Sequence, residues 1–203
     1  MSEHIIRSEK ELVALFGPVA QASIRKEVDR IHPVYRAWIE ASPFAVLATS
    51  GLSSLAVSPR GDPAPLVRVV DEKTLFLAER RGNNRIDGLR NLLHDPRISL
   101  LFLVPGIGES LRVSGRAEIS VEPALLESFA VDGALPKCVV RVKVESVFFQ
   151  CGRAMMRSGI WSQLQVKLTV PTAGAMLSAI TNDEVGGASY DEELPQRQRS
   201  TLY

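Results

Sequence analysis

The feature that most constrains the fold of this 203-residue chain is a series of segments in which apolar and polar residues alternate. The clearest is segment 110–121, SLRVSGRAEISV, where leucine, valine, alanine and isoleucine alternate with arginine, serine and glutamate. Successive side chains of a β-strand point to opposite faces, so this pattern predicts a strand with one face in the core and the other in water.

Similar patterns occur on both sides of this segment, separated by glycine, proline and aspartate: FAVLATS, SSLAVSP, PLVRVVD, TLFLAE, RISLLFLVP and KCVVRVKVESVFFQC. Six or seven short strands with turn residues between them predict an antiparallel sheet that closes into a β-barrel. Helical patterns precede, interrupt and follow these strands. We therefore expect an α+β fold, with a helical extension packed on the barrel at 1–42, the barrel at 43–170, and a C-terminal helix and polar tail at 171–203.

The first forty residues predict three helices. SEKELVALFG begins with a capping-box pattern, Ser8 followed by Glu11, and ends at Gly17. PVAQASIRKEVDRI and PVYRAWIEAS have the composition of a second and a third helix. A fourth helix is expected inside the barrel region, with Ile86, Leu89, Leu92 and Leu93 on its apolar face and a stop at HDP.

The charge balance excludes several classes of partner. Lysine and arginine total 24 against 23 aspartate and glutamate, a net charge of +1, so no global field favours nucleic acid or an anionic membrane. No run of 18 apolar residues and no signal-peptide pattern is found, which predicts a cytoplasmic protein. Cys138 and Cys151 lack metal-ligand spacing, so we expect two reduced thiols and no metal site.

The most informative loop is AERRGNNRIDGLRNLLHDP, in which three arginines and two asparagines lie just before the expected fourth helix. Positive side chains at a helix N-terminus are unfavourable unless an anion offsets them, so the loop indicates a phosphate or carboxylate ligand. It matches neither the P-loop nor the Rossmann glycine pattern. The alternative is a solvated basic turn in which Asn83 or Asn84 caps the helix.

Two further segments are candidates for ligand binding. In SPRGDP the favoured interpretation is a hairpin turn, although Ser58 and Arg60 are good donors for an oxygen-rich ligand. In CGRAMMRSGIW a helix would align Arg153, Arg157 and Trp161 on one face, where they would bind an anion that carries a ring. A tryptophan buried in an interface is the alternative for that segment.

Taken together and in order, SPRGDP, ERRGNNRIDGLRNLLHDPRISLLFLVPG, ESLRVSGRAEI and CGRAMMRSGIW resemble the pyridoxamine 5'-phosphate oxidase-like split-barrel flavoproteins. More narrowly, they resemble a bacterial branch of probable FMN-dependent enzymes of unknown substrate. The resemblance covers about residues 40 to 165. It implies a six-stranded antiparallel split barrel and a homodimer, with one FMN at each end of the dimer interface, contacted by both chains.

The resemblance also implies a role for each motif. Ser58 and Arg60 would lie along the isoalloxazine and ribityl chain of FMN. The phosphate would be held by the loop residues Arg80, Asn83, Asn84 and Arg85. The remaining two candidates, Arg157 and Trp161, would come from the other subunit and close over the flavin.

Departures from the family pattern concern the substrate. The chain ends QRQRSTLY with no tryptophan after Trp161, so we do not expect the clamp by which vitamin B6 oxidases hold their substrate's phosphate, nor oxidation of pyridoxamine phosphate. Gln150 and Arg153 stand where the resemblance leads us to expect histidine and lysine. The sequence thus predicts an FMN-dependent oxidoreductase of an unidentified small molecule. The alternative is a non-catalytic flavin- or haem-binding or sensor protein of the same fold.

Overall fold

A computed structural model describes residues 4–162 and 170–202, and it shows an α+β fold built on one curled antiparallel sheet. Seven strands follow one another across this sheet in the order β2-β1-β5-β6-β7-β4-β3. In chain order they are β1 (Phe44–Ser50), β2 (Leu55–Gly61), β3 (Val67–Val69), β4 (Thr74–Glu79), β5 (Arg97–Leu103), β6 (Ser110–Ser120) and β7 (Cys138–Gln150). The fold class that the sequence predicts is confirmed: the sheet forms the half-barrel of a split barrel.

The two longest strands, β6 and β7, pair along most of their length and form the centre of the sheet. Their pairing shifts between Ser114 and Gly115, where a side chain on Gly115 would meet the Lys143 carbonyl oxygen at 2.1 Å. The alternation predicted for β6 is confirmed, since Leu111, Val113 and Ala117 are buried. The sheet therefore bends at a glycine that brings two backbones together.

The core lies inside the curl of the sheet. Its largest fully buried side chains are Phe102, Leu100, Leu47, Leu75, Leu77 and Leu111, with Ile39 added from a helix. Burying side chains of this size contributes about 2 kcal/mol each, which makes the barrel the stable part of the chain. No helix in the described part of the chain is long and apolar enough to cross a membrane.

Helices surround this sheet. They are α1 (Glu9–Phe16), α2 (Gln21–Arg25), α3 (Pro33–Glu40), α4 (Asp87–Leu92), α5 (Pro123–Glu127), α6 (Arg153–Ser158), α7 (Ala173–Ile180) and α8 (Gly187–Ser200). The predicted cap of α1 is confirmed, because the Ser8 hydroxyl accepts a hydrogen bond from the Glu11 backbone N–H at 3.2 Å. α3 packs on the core through Ile39 and Trp38, whereas α1 buries none of its residues.

The predicted second helix is much shorter than its sequence pattern. α2 ends at Arg25, and Val28 instead forms an antiparallel bridge with Val147 of β7. Two backbone hydrogen bonds, of 3.0 and 2.8 Å, join these two valines. The long-range bridge requires extended backbone at Val28, so it overrides the local helical propensity of residues 26–31.

The polar C-terminal stretch, predicted to be a surface arm or a loose tail, instead contains α8. α7 and α8 form a helical hairpin whose contact is fixed by Asp191, which accepts a hydrogen bond from the Gly174 backbone N–H at 2.7 Å. Asp191 also accepts from the hydroxyl of Thr172, the residue that caps α7. Because these contacts join residues 17 and 19 positions apart, the local polarity of α8 gave no sign of them.

Candidate functional site

A pocket of about 710 Å³ lies between β2 and the segment that connects β4 to α4. Its wall includes six of the eight residues that the sequence and the resemblance assign to a cofactor: Ser58, Arg60, Arg80, Asn83, Asn84 and Arg85. Its volume falls within the roughly 300–1,000 Å³ typical of sites for small molecules. Two motifs that are about twenty residues apart in the chain thus meet at one cavity.

The first wall of the pocket is β2, and here the preferred sequence interpretation is wrong. SPRGDP does not form a hairpin turn at Ser58, because β2 continues to Gly61, which pairs with Phe44 of β1. Within the strand, Ser58 and Arg60 are two residues apart and face the same side, both half-buried. Because this segment pairs with β1 as a strand, Ser58 and Arg60 are on the same face and both line the pocket.

Arg60 is held in place by three contacts. Its Nε donates to Glu79 Oε1 at 2.7 Å, and its Nη1 donates to Ser58 Oγ at 2.8 Å and to the Pro59 carbonyl at 2.9 Å. The side chains of Arg60 and Glu79 are only 20% and 12% exposed. Sequence reasoning missed Glu79, although a carboxylate that ends the apolar strand TLFLAE is a signal that a buried cation lies nearby.

Arg80 is anchored in a comparable way at the end of β4. Its Nε donates to Asp62 Oδ2 at 3.1 Å and its Nη1 donates to the Phe129 carbonyl at 2.8 Å. Both charged side chains are less than one-fifth exposed. Asp62, which immediately follows β2, was also not singled out from the sequence. These contacts fix the Arg80 guanidinium in the pocket wall before any ligand arrives.

The helix after β4 begins later than the loop sequence predicts. α4 begins at Asp87 and has Ile86 at its N-cap with no side-chain cap, so neither asparagine caps the helix. Asn83 instead accepts a hydrogen bond from the Arg85 backbone N–H at 3.0 Å, and Asn84 has a left-handed φ of 59°. The predicted apolar face is also partly wrong, since Ile86 is exposed.

Because α4 has only six residues and begins seven positions after Arg80, its N-terminus contributes little to an anion site. The positive charge of the pocket wall comes from the guanidinium groups of Arg60, Arg80 and Arg85 instead. Arg85 is exposed and donates from Nε to Asp87 Oδ2 at 2.7 Å. This hydrogen bond raises the pKa of Arg85 and lowers the pKa of Asp87.

Cys138, the first residue of β7, also lines the pocket and pairs with Glu79 of β4. Burial raises the pKa of the Cys138 thiol to about 11, and the negative charge of Glu79 adds to this effect while Arg60 opposes it. Both cysteines are free, as predicted, with Cys138 buried and Cys151 exposed. At neutral pH Cys138 is a protonated thiol and therefore a poor nucleophile.

The last two predicted residues, Arg157 and Trp161, do not line this pocket. α6 ends at Ser158 and is followed by Gly159 in the left-handed conformation, with φ 60°. Trp161 therefore lies beyond the helix, and the shared face expected for Arg153, Arg157 and Trp161 does not form. The Trp161 indole N–H donates to the Ile107 carbonyl at 2.8 Å instead.

Comparison with known proteins places most of the barrel in a described family. Residues 31–151 match the family model described as pyridoxamine 5'-phosphate oxidase. A search of curated protein sequences found no significant match.

Solved structures with a similar fold include a HupZ variant from Group A Streptococcus, at 25% identity, TM-score 0.47, and coverage of 59% of this chain and 99% of that one. General stress protein 26 from Bacillus anthracis is 13% identical, with TM-score 0.44 and coverage of 56% and 88%. A FAD-binding protein from Mesorhizobium loti is 18% identical, with TM-score 0.39 and coverage of 59% and 94%.

Proposed function

Because the chain belongs to the pyridoxamine 5'-phosphate oxidase family, we propose that it binds FMN in the pocket between β2 and the β4–α4 loop. We further propose that it acts as a homodimeric, FMN-dependent oxidoreductase on a small molecule that remains to be identified. One observation carries the proposal: six of the eight residues assigned to FMN from the sequence line a single pocket.

The residues present fit a phosphorylated ligand. Arg80 and Arg85 bring planar forks of N–H donors to the loop wall of the pocket, and such forks match phosphate oxygens well. Arg80 is already fixed by Asp62, so little conformational entropy is lost when it binds. We assign these two arginines, with Asn83 and Asn84, to the ribityl phosphate.

The strand wall suits the remainder of the cofactor. Ser58 and Arg60 offer polar groups from one face of β2, which Ala56 shares with them, and Leu66 and Leu89 add apolar surface to the pocket lining. A planar aromatic ring needs this combination of apolar surface and a few directed donors. FMN would supply the oxidation and reduction chemistry when bound, and the residues of the chain would bind it, orient it and limit its contact with water.

The proposal requires a second chain. Arg157 and Trp161 lie outside the pocket of their own chain, so we assign them to the site of the partner subunit. β2 is an edge strand. Its residues Leu55 and Val57, and Leu52 just before it, are 71–85% exposed. An apolar sheet edge of this kind is suited to burial against another protein chain, which supports a homodimer.

A second candidate, a non-catalytic flavin-binding protein, is favoured by one feature of the pocket. Glu79 and Asp62 are both engaged in ion pairs with arginines, and Cys138 is held protonated. These groups are therefore poorly placed to transfer protons to a substrate. Turnover with any substrate or with a nicotinamide reductant would reject this candidate in favour of the enzyme.

The decisive experiment is an absorbance spectrum of the purified protein with mass spectrometry of the ligand that it releases on denaturation. We expect a flavin spectrum and the mass of FMN, followed by stoichiometric rebinding of FMN to the stripped protein. Release of haem or of FAD, or failure of the stripped protein to bind FMN, would contradict the proposal. Light scattering on the same sample should give the mass of a dimer.

A further inference from the structure

We infer that Glu79 is a positioning residue. It fixes the Arg60 guanidinium through a hydrogen bond, so that the Nη2 group of Arg60 faces the ligand. This inference rests on the proposed function, because the ligand that Arg60 would meet is FMN. Nothing in the sequence motifs assigned a role to Glu79, which ends β4 and lies inside the pocket wall.

The geometry of the contacts supports this role. Arg60 uses Nε on Glu79 and Nη1 on Ser58 and on the Pro59 carbonyl. Its Nη2 makes no hydrogen bond with any residue that the structure describes, although the Arg60 side chain is only 20% exposed. Two of the three nitrogens are thus fixed by the protein, and the third keeps its two N–H donors for a ligand in the pocket.

The Glu79 carboxylate acts mainly by fixing the orientation of the Arg60 guanidinium, and less by neutralising its charge. A guanidinium that is held at both Nε and Nη1 has a fixed plane, and the two N–H donors of its Nη2 then point in set directions. Without Glu79, Arg60 would keep only its contacts to its own strand and would sample several rotamers. The ordering cost would then be paid each time a ligand binds, which weakens binding without removing any contact to the ligand.

The β4–β7 pairing provides a reporter within the same cluster. Cys138 lies directly opposite Glu79 in the sheet and also lines the pocket. The charges that act on its thiol are Glu79, which raises its pKa, and Arg60, which lowers it. The reactivity of Cys138 therefore reports on the Glu79–Arg60 pair even when no flavin is present.

The first arm of the test measures FMN binding to the stripped protein and to the variants Glu79→Ala and Glu79→Gln. The glutamine amide oxygen still accepts from Arg60 Nε, so Glu79→Gln should bind within about twofold of the unsubstituted protein. Glu79→Ala removes the acceptor and should bind up to about tenfold more weakly, because the cost of ordering one long side chain is then added to binding. Glu118→Gln, which alters an exposed ion pair with Arg141 outside the pocket, is the matched control and should change nothing.

Each alternative result overturns the inference. Tighter FMN binding by both variants would mean that Glu79 only neutralises Arg60. Equal weakening by both would mean that its charge, rather than its hydrogen bond, is required. Unchanged binding by both would mean that Arg60 does not need Glu79.

The second arm uses the stripped protein with Cys151→Ser, so that only Cys138 reacts, and follows the pH dependence of alkylation by iodoacetamide. Glu79→Gln should lower the midpoint pH, at which alkylation of Cys138 reaches half of its maximal rate, because the negative charge opposite the thiol is lost. An unmoved midpoint would show that Glu79 does not lie beside Cys138 in solution and would overturn the inference. If this midpoint moves but the unsubstituted protein binds no FMN, the proposed cofactor is wrong while the ion pair stands.

Discussion

The two parts of the candidate site differ in how the fold supports them. The pocket wall is carried by β2 and the end of β4, strands that border a fully buried core, and its arginines are fixed by Glu79 and Asp62. α6, which carries Arg157, is a six-residue helix without a buried residue. The comparison shows that one wall is held by buried contacts of its own chain, whereas the α6 segment buries none of its residues.

The largest effect should come from the core beneath the pocket wall. Leu77 is fully buried in β4, so Leu77→Ala should destabilise the protein by about 3 kcal/mol and weaken FMN binding as well. Met156→Ala in α6, where the side chain is 80% exposed, should change the stability by less than about 0.5 kcal/mol. Urea denaturation of both variants checks the comparison, and similar losses would show that α6 is as well packed as β4.

A smaller effect should follow from removing one phosphate contact. Arg85→Ala should weaken FMN binding about tenfold, roughly 1.4 kcal/mol, because a charge-assisted hydrogen bond is lost. Binding of riboflavin, which lacks the phosphate, should hardly change. Arg90→Ala is the matched control, because Arg90 also contacts Asp87 but does not line the pocket. Equal losses for FMN and riboflavin would place the phosphate elsewhere.

Trp161→Ala tests whether the segment that follows α6 serves the partner's site, and the expected loss of FMN affinity is about fivefold, or roughly 1 kcal/mol. Mixing this variant with Arg85→Ala provides the sharper measurement. A heterodimer of the two contains one site with both substitutions and one with neither, so tight FMN binding should return to part of the mixture. If mixing restores nothing, Trp161 and Arg85 do not act across a subunit interface.

The last prediction concerns the thiol of Cys138, which lines the pocket. The pKa of Cys138 is raised by burial to about 11 from an ordinary value of 9.0. A raised pKa stabilises the folded state below pH 9, and this contribution is lost as the pH rises toward 11. Cys138→Ala should therefore flatten the decline of stability between pH 9 and 11, as measured by urea denaturation, whereas Cys151→Ser should leave it unchanged. An identical decline in both variants would show that the thiol is not desolvated.

Much of the fold was predictable because strand patterns are local. FAVLATS and TLFLAE coincide with β1 and β4 residue for residue, since period-two alternation and continuous burial both appear in a short stretch of sequence. The polar motifs and the family resemblance selected Ser58, Arg60 and the β4–α4 loop, which the structure brings to one pocket. Their role in binding FMN remains a prediction.

The sequence by itself thus determined the fold class, the positions of most strands along the chain and the basic character of one loop. Only the tertiary structure decided that SPRG belongs to a strand, that Glu79 holds Arg60 from 19 residues away, and that Val28 pairs with Val147 instead of forming a helix. Each of these outcomes depends on a hydrogen bond or a backbone pairing between distant segments. Such contacts form because folding brings the partners together, so neither partner carries a local pattern that reveals the other.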